Sequence, residues 1–508
     1  MRETPEAILI RGVNWIGDAV MTLPAIRAIR KAFPEAHIDL LVKPGVAPVF
    51  EHVPCISRVL TFGEQDTGIQ GRLRLGLRLR RQHYTMAILL QNAFGAAAVS
   101  LLAGIPKRIG YDRDGRGMLL THPIPFTNED RSMHHVDYYL NLLRQAGLHA
   151  EYERPFLSVP IHERERARKK LASLERPILG INPGATYGSA KRWFPDRFAE
   201  VANWFITTTG GSVVIFGGKN EEDIALEIDE DVPANKLCLA GHTSLQDLIA
   251  LIAECEVFLT NDSGPMHLAY AVGTPLVAIF GSTAPELTGP VGEGHRVVRR
   301  RLDCAPCFER RCKKGHMKCM DTISADDVCD EIAQIMPKRK AVFFDRDGTL
   351  CRDANYLNDW KDFELFPDID SLKALKEQGY LLIGVSNQSG IGRGLVDETF
   401  TRDVNQLFID QYGFDDFFYC PHSPSECCAC RKPEPGMLLD ARLKHRIDLK
   451  QSVVVGDKDA DMLLARMVGA RGIHVRTGQQ ETSAHADITV GSLSEAVSAI
   501  LTRKPAGA

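Results

Sequence analysis

The amino-acid sequence predicts an α/β protein made of three doubly wound units in series. Short β-branched runs alternate with longer helical patterns. That alternation is broken at two places, a charged stretch at His162–Glu175 and a polar joint at Pro337-Lys338-Arg339-Lys340. The length, 508 residues, fits about three domains of ordinary size. The expected domains are therefore residues 1–165, 166–336 and 338–508.

In the first unit Ala7–Arg11 (AILIR) reads as a strand, followed by a loop and an amphipathic helix through Phe33. His37–Val42 and Met86–Leu90 read as further strands. The second unit opens on Ile178–Asn182 (ILGIN) and continues with Ser212–Phe216, Val257–Thr260 and Leu276–Phe280, closing near Met336. The third restarts at Ala341–Phe344 (AVFF), with Tyr380–Ser386, Phe417–Cys420 and Ser452–Gly456 as later strands. No internal repeat or low-complexity tract interrupts these units.

Apolar residues make up 44% and charged residues 25%, the balance of a globular protein. A net charge of −4 supplies no global basic field, so nucleic acid is not an implied partner. One local run stands out: Arg72, Arg74, Arg78, Arg80 and Arg81 with leucines between them. It reads first as a solvated helix face, and second as a contact with an anionic membrane surface or a phosphorylated lipid acceptor. No apolar run is long enough to span a bilayer, and the N-terminus lacks the features of a signal peptide, so a cytoplasmic location is expected. Eight of the thirteen cysteines fall in two clusters, Cys304–Cys319 and Cys420–Cys430, which in a cytosolic chain points to metal ligands or buried thiols.

The most informative segment is Asp345-Arg346-Asp347-Gly348-Thr349-Leu350, directly after an apolar strand. Two carboxylates at i and i+2 beyond a strand end can converge at the carboxyl edge of a parallel sheet. There one can attack phosphorus and hold a cation while the other moves a proton. Taken alone, the segment is also good turn chemistry. Further segments follow at strand ends: Ser386 closing LLIGVS, Lys432, and Asp457 in VVVGDKDAD with Lys458 and Asp461 beside it. Together they resemble the motifs of the haloacid dehalogenase superfamily. The resemblance implies Asp345 as nucleophile, Asp347 as acid–base, Ser386 and Lys432 on the phosphoryl group, and magnesium on Asp345, Asp347 and Asp457. A phosphoryl group in flight spreads negative charge, which a magnesium ion and a lysine offset.

Cys420-Pro421-His422 and Cys428-Ala429-Cys430-Arg431-Lys432-Pro433 add three thiols and an imidazole on a short excursion, a tetrahedral zinc set. Cys427 leaves open which cysteines ligate. This signature is similar to two phosphatases, the heptose 1,7-bisphosphate 7-phosphatases and the histidinol-phosphate phosphatases. Asn387-Gln388-Ser389-Gly390-Ile391-Gly392-Arg393-Gly394 and the run from Arg431 to Met437 resemble the heptose enzymes. Asn387, Arg393, Arg431 and Lys458 are then expected at the substrate.

The loop Arg11–Val20 places Asp18 at a helix entry, where it is either a dipole-complementing acid or a functional carboxylate. Two later loops follow strands: Asn182-Pro183-Gly184-Ala185-Thr186-Tyr187-Gly188 through Lys191-Arg192-Trp193, and Thr260-Asn261-Asp262-Ser263-Gly264-Pro265-Met266-His267. Their glycines, cations and helix entry suit a diphosphate, although each is also good capping chemistry. With Asp18 they resemble the lipopolysaccharide inner-core heptosyltransferases over about residues 7–335, most closely the type that adds the second heptose. That family implies two facing Rossmann-like domains of the GT-B type, followed here by a Rossmannoid haloacid-dehalogenase-like domain. It also implies Asp18 as general base, Thr186 and Lys191 on the diphosphate, and Asp262, Ser263 and Gly264 on the donor.

The resemblances thus imply a fused, bifunctional enzyme of core heptose metabolism with Mg2+ and structural Zn2+. ADP-heptose, a heptosyl-Kdo-lipid A acceptor and heptose 1,7-bisphosphate are the expected small-molecule partners, and the inner membrane's cytoplasmic face a peripheral one. A histidinol-phosphate-type or catalytically idle third unit is the alternative. For Cys304, Cys307, Cys312 and Cys319 a zinc site and reduced surface thiols stay equally open.

Overall fold

The computed structural model describes residues 5–502. It contains three six-stranded sheets, and every strand pairing within them is parallel. The first consists of β1 (Ala7–Arg11), β2 (His37–Val42), β3 (Arg58–Thr61), β4 (Met86–Leu89), β5 (Lys107–Tyr111) and β6 (His122–Ile124), in the order β3-β2-β1-β4-β5-β6. The second consists of β7 (Ile178–Asn182), β8 (Ser212–Ile215), β9 (Lys236–Cys238), β10 (Val257–Asn261), β11 (Leu276–Phe280) and β12 (His295–Arg299), ordered β12-β11-β10-β7-β8-β9. The third consists of β13 (Ala341–Phe344), β14 (Leu381–Asn387), β15 (Asp416–Cys420), β16 (Val453–Gly456), β17 (Arg471–Val475) and β18 (Ile488–Val490), ordered β15-β14-β13-β16-β17-β18. Parallel strands need helical crossovers, which bury both faces of the sheet and explain why the central strands read as unbroken apolar runs.

The chain divides into two compact units: residues 1–159 with 165–335, and residues 160–164 with 336–508. The first unit holds two sheets and the second holds one. Five helices of the first unit matter below: α1 (Ile16–Met21), α2 (Gly68–Arg80), α3 (Phe94–Leu102), α4 (His135–Gln145) and α5 (Gly264–Ala271). The expected strands all form, with ends that shift by a residue or two. Seven strands escaped the sequence reading: β3, β5, β6, β9, β12, β17 and β18. Most are short and lie at or next to a sheet edge, where one side meets water and the apolar run is broken. β17 is interior, yet Arg471, Gly472 and His474 dilute its signal within five residues.

The sheet order has a functional consequence. In each sheet, the crossovers reverse direction between two central strands: β1 and β4, β7 and β10, β13 and β16. Loops leaving the carboxyl ends of such a pair part in opposite directions and open a crevice there. Among the described residues, no helix is long and apolar enough to cross a membrane.

Candidate active sites

In the first unit, the segments leaving β1, β7 and β10 meet. Asp18 lies in the first turn of α1, directly after β1. Its Oδ1 is 3.4 Å from Nδ1 of His135 at the start of α4, and the Tyr139 hydroxyl on the same helix faces it. Burial, helped by Asp18, raises Tyr139 well above its ordinary value, so that hydroxyl stays a hydrogen-bond donor. The helix α1 packs on α5, and two glycines permit the close approach. A Cβ on Gly17 would sit 2.6 Å from Cδ2 of His267, and one on Gly264 would sit 3.1 Å from Cβ of Ile16. Across the same cleft His134 Nε2 meets the Gly289 carbonyl at 3.1 Å. His267, buried beneath α1, feels the charges of both Asp18 and Lys191, which places these two around one imidazole.

The donor side is built on the β7/β10 reversal. Lys191 Nζ pairs with Asp262 Oδ2 at 2.5 Å, and both are largely buried. Thr283 Oγ1 donates to the same carboxylate oxygen at 2.6 Å. Lys191 also lies over the Tyr187 ring, 4.7 Å from its centroid. Asn182 donates to Ser263 Oγ at 3.4 Å, tying the two loops together, and Ser263 occupies the N-cap position of α5 without a side-chain capping bond. Thr186 lies exposed on the loop before Lys191. All five expected donor-side residues therefore sit at the two strand ends flanking one crevice. His135, Tyr139 and Thr283 were missed by sequence, because their roles depend on segments more than a hundred or some twenty positions away and no local motif marks them.

His267 carries a pH consequence. Burial pushes its pKa down to about 3, whereas an unfolded histidine titrates near 6.5. Below pH ~6.5 the unfolded chain takes up a proton that the folded chain refuses. The first unit is therefore expected to lose up to about 1.4 kcal/mol of stability per pH unit as pH falls toward the folded pKa. Thermal unfolding followed from pH 7 down should show this slope, and His267→Gln should flatten it.

In the third sheet the β13/β16 reversal gathers three buried acids and a lysine. Lys432 Nζ lies 2.8 Å from Asp345 Oδ1 and 2.6 Å from Asp461 Oδ1, and donates to the Val385 carbonyl at 2.9 Å. Burial alone would lower this ammonium's pKa, but Asp345 and Asp461 more than reverse that and raise it. Donor oxygens of Asp345, Asp457 and Asp461 all lie within 4.8 Å of one another. Burial, then repulsion from Asp345, pushes Asp457 up to about 7, and its Oδ1 is buried with no hydrogen-bond partner. An orphaned buried carboxylate oxygen among like charges fits a divalent cation. Ser386, 1% exposed, accepts from Gln388 Nε2 at 2.8 Å.

Two of the expected residues are engaged by protein partners here. Asp347, expected as a third magnesium ligand, lies outside that group of acids. Its two oxygens are held by the buried Arg346 guanidinium at 3.0 Å each, and Gln388 donates to Oδ2 at 2.6 Å. Burial would raise its pKa, but Arg346 and Gln388 outweigh that and lower it. Asn387, expected at the substrate, uses its amide on the main chain of Lys432: Nδ2 donates to the carbonyl at 3.2 Å and Oδ1 accepts from the N–H at 3.0 Å. It positions the lysine. Arg393 bonds the Tyr356 hydroxyl at 2.6 Å on the exposed rim, and Lys458 pairs with Asp353 at 3.1 Å. Arg431 keeps a buried Nη1 without a partner among the described residues.

Beside this site Cys420, His422, Cys428 and Cys430 place one donor atom each within 4.8 Å of one another. Cys420 Sγ is 3.5 Å from Cys428 Sγ and 3.6 Å from His422 Nδ1, which is 3.2 Å from Cys430 Sγ. These spacings suit a tetrahedral cation and are far too long for a disulfide. Cys427 lies outside this group, its sulfur 3.7 Å from the Ser425 carbonyl. The other cysteine cluster behaves differently. Among the described residues, Cys304, Cys307, Cys312 and Cys319 supply no group of three donors within that distance. Their segment instead braces the Lys191 loop: Tyr187 donates to the Phe308 carbonyl at 2.7 Å and the Ala190 N–H to the Arg310 carbonyl at 3.1 Å.

Known proteins match this division. A profile of glycosyltransferase family 9 (heptosyltransferase) matches residues 72–318, and a HAD-hydrolase-like profile matches residues 429–496. Over 314 residues the chain is 33% identical to lipooligosaccharide heptosyltransferase 2 of Haemophilus influenzae, covering 58% of this chain and 88% of that relative. Over 178 residues it is 38% identical to D-glycero-beta-D-manno-heptose-1,7-bisphosphate 7-phosphatase of Photorhabdus laumondii, covering 32% of this chain and 94% of that relative. The chain belongs to both families, fused end to end. The solved E. coli ADP-heptose lps heptosyltransferase II superposes on the family 9 part with a TM-score of 0.56 and 30% identity, over 65% of this chain and 98% of that one. The family 9 unit thus has the GT-B architecture, and the third sheet is the HAD-like unit.

Proposed function

We propose that the chain is a bifunctional enzyme of lipopolysaccharide core heptose metabolism. Its family 9 unit transfers heptose from ADP-heptose to the inner core, and its HAD-like unit hydrolyses the 7-phosphate of heptose 1,7-bisphosphate. The observation that carries this reading is that each unit spans nearly the whole of its relatives and assembles, at its own strand-reversal point, the groups such a reaction needs.

For transfer, Asp18 takes the proton from the acceptor hydroxyl while His135 and Tyr139 fix its orientation. Lys191 offsets the negative charge that builds on the departing diphosphate, with Asp262 and Thr283 holding the lysine in place. Ser263 and Gly264 offer main-chain N–H groups at the α5 entry, and Thr186 a hydroxyl on the facing loop. Configuration is inverted because the displacement is direct.

For hydrolysis, Asp345 attacks phosphorus and the sugar oxygen leaves with a proton from Asp347. Arg346 favours the ionised Asp347, but an arriving phosphate dianion works the other way and favours proton uptake. The same carboxylate then draws a proton from the water that cleaves the aspartyl phosphate. Ser386 and Lys432 bind the phosphoryl oxygens throughout, and Arg431 and Lys458 offer cations for the remaining substrate charge. The Asp345 and Asp457 carboxylates would hold magnesium, which would supply positive charge against the transferring group. Cys420, His422, Cys428 and Cys430 would hold zinc, which would pin the loop that carries Lys432. We place both activities in the cytoplasm, the donor and the bisphosphate being nucleotide and sugar phosphates.

Phosphate release by the full chain from heptose 1,7-bisphosphate and from histidinol phosphate tests the substrate. The heptose ester should be the faster by orders of magnitude; equal or faster release from histidinol phosphate assigns the third unit to the other phosphatase group. Zinc is tested separately. Cys428→Ser should lower bound zinc by about one per chain and the HAD-like unit's thermal midpoint by several degrees. Unchanged zinc content with an unchanged midpoint would remove the metal from the account.

A further inference from the structure

The arginine-leucine run on α2 reads from sequence as a solvated helix face, but the fold gives it a neighbour that changes its meaning. Ile69, Leu73 and Leu77 recur every four residues, so they form one stripe along α2, and they are 88%, 46% and 49% exposed. The adjacent helix α3 (FGAAAVSLL) carries no charge and exposes Phe94, Leu101 and Leu102 at 44%, 43% and 38%. The opposite faces of both helices are committed to the core, where Leu75, Leu79, Ala96, Ala97 and Val99 pack on the first sheet. The two helices touch through glycine: a Cβ on Gly76 would lie 2.5 Å from Leu102 Cβ, and one on Gly95 would lie 3.0 Å from the Arg72 guanidinium. The two apolar stripes therefore adjoin and form one surface.

We propose that this α2–α3 surface docks on an anionic phospholipid bilayer. Five arginines flank the stripes and α2 contains no acidic residue. Among the described residues, Arg72, Arg74, Arg80 and Arg81 meet no carboxylate, and Arg78 reaches Asp66 only at 3.8 Å. Arg74 donates to the Gln65 carbonyl at 2.9 Å and Arg78 to the Thr61 carbonyl at 3.3 Å, contacts that leave their charge unneutralised. Large aliphatic side chains beside guanidinium groups whose charge is largely unneutralised match a membrane interface, where the apolar groups enter the acyl boundary and the cations meet lipid phosphates. A second copy of the chain is the poorer occupant, because a two-fold contact through one face would set the same five arginines against themselves. The surface also borders the acceptor side of the transfer cleft. Asn92, two residues before α3, donates to the Tyr138 hydroxyl at 2.8 Å, and the next residue, Tyr139, faces Asp18. A lipid-borne acceptor would then meet Asp18 at the bilayer surface, but the docking itself does not depend on that reading.

Co-sedimentation of the full chain with vesicles free of lipopolysaccharide separates the two. Binding to phosphatidylcholine vesicles containing phosphatidylglycerol should exceed binding to phosphatidylcholine alone by roughly tenfold or more and should fall with salt. Arg74→Gln/Arg78→Gln/Arg81→Gln should remove the salt-sensitive part. Leu73→Ser/Leu77→Ser/Leu101→Ser should weaken binding at every salt concentration, with ADP binding retained as the measure of folding. No preference for anionic vesicles, or binding that both variants leave intact, overturns the proposal. A dimer in sedimentation velocity that the leucine variant dissociates, without vesicle binding, overturns it in favour of a second copy.

Discussion

Asp345→Asn is expected to lower phosphate release by at least about a thousandfold while leaving heptose transfer unchanged. The amide keeps the size of the side chain but cannot attack phosphorus. A structural role predicts a different second readout. Asp345 is the largest charge acting on Asp457 after burial, and their repulsion helps push Asp457 up to about 7. Removing that charge relieves the buried acids, so chelator-treated Asp345→Asn protein should unfold at the same temperature as the unaltered chain or higher. A variant that is both inactive and markedly less stable would mark Asp345 as a scaffold for Lys432. Retained phosphatase activity would remove it as nucleophile.

The second large effect is expected at the other site. Asp18→Asn should reduce transfer by about 10²–10⁴-fold, the usual range for losing a positioned proton acceptor. Binding of ADP-heptose should persist, because Asp18 belongs to α1 whereas Lys191, Asp262 and Ser263 belong to the second sheet's loops. Isothermal titration with donor alone and a transfer assay on truncated core acceptor make the comparison. Transfer at the normal rate would place the base elsewhere, and loss of donor binding would make Asp18 a binding residue. Lys191 is a harder target for the same question. Its removal strands the buried Asp262 carboxylate with Thr283 as partner, and breaking a buried pair costs about 3–5 kcal/mol. A loss of activity there would mix catalysis with folding.

Much of both candidate sites was legible in the chain because their residues follow strand ends. Apolar runs locate the strands, and the polar residues immediately after them lie at the crevice, so Asp345, Ser386, Asp457, Asp262 and Asp18 could be named without coordinates. What the sequence blurred were roles. Asn387 has the composition of a substrate ligand but clips the Lys432 main chain. Asp347 has the spacing of a metal ligand, yet the neighbouring Arg346 turns inward and occupies its oxygens. His135, Tyr139, Thr283 and Gln388 carry no local signal, since hydrogen bonds between distant segments define them.

The sequence by itself determined the three doubly wound sheets, the two families joined in one chain, the cysteine–histidine cluster as a candidate metal set and the acidic residues at the strand ends. These follow from local rules: apolar periodicity, turn chemistry and short-range spacing are properties of neighbouring residues. Tertiary structure decided which partners each of those residues meets. It set Asp18 and Lys191 around His267, withdrew Asp347 from the buried acids, dropped Cys427 from the metal set, and laid an uncharged helix beside the arginine-bearing one. Side-chain environment depends on where crossovers bring remote segments together, and in a parallel sheet every such meeting spans a helix or more of intervening chain.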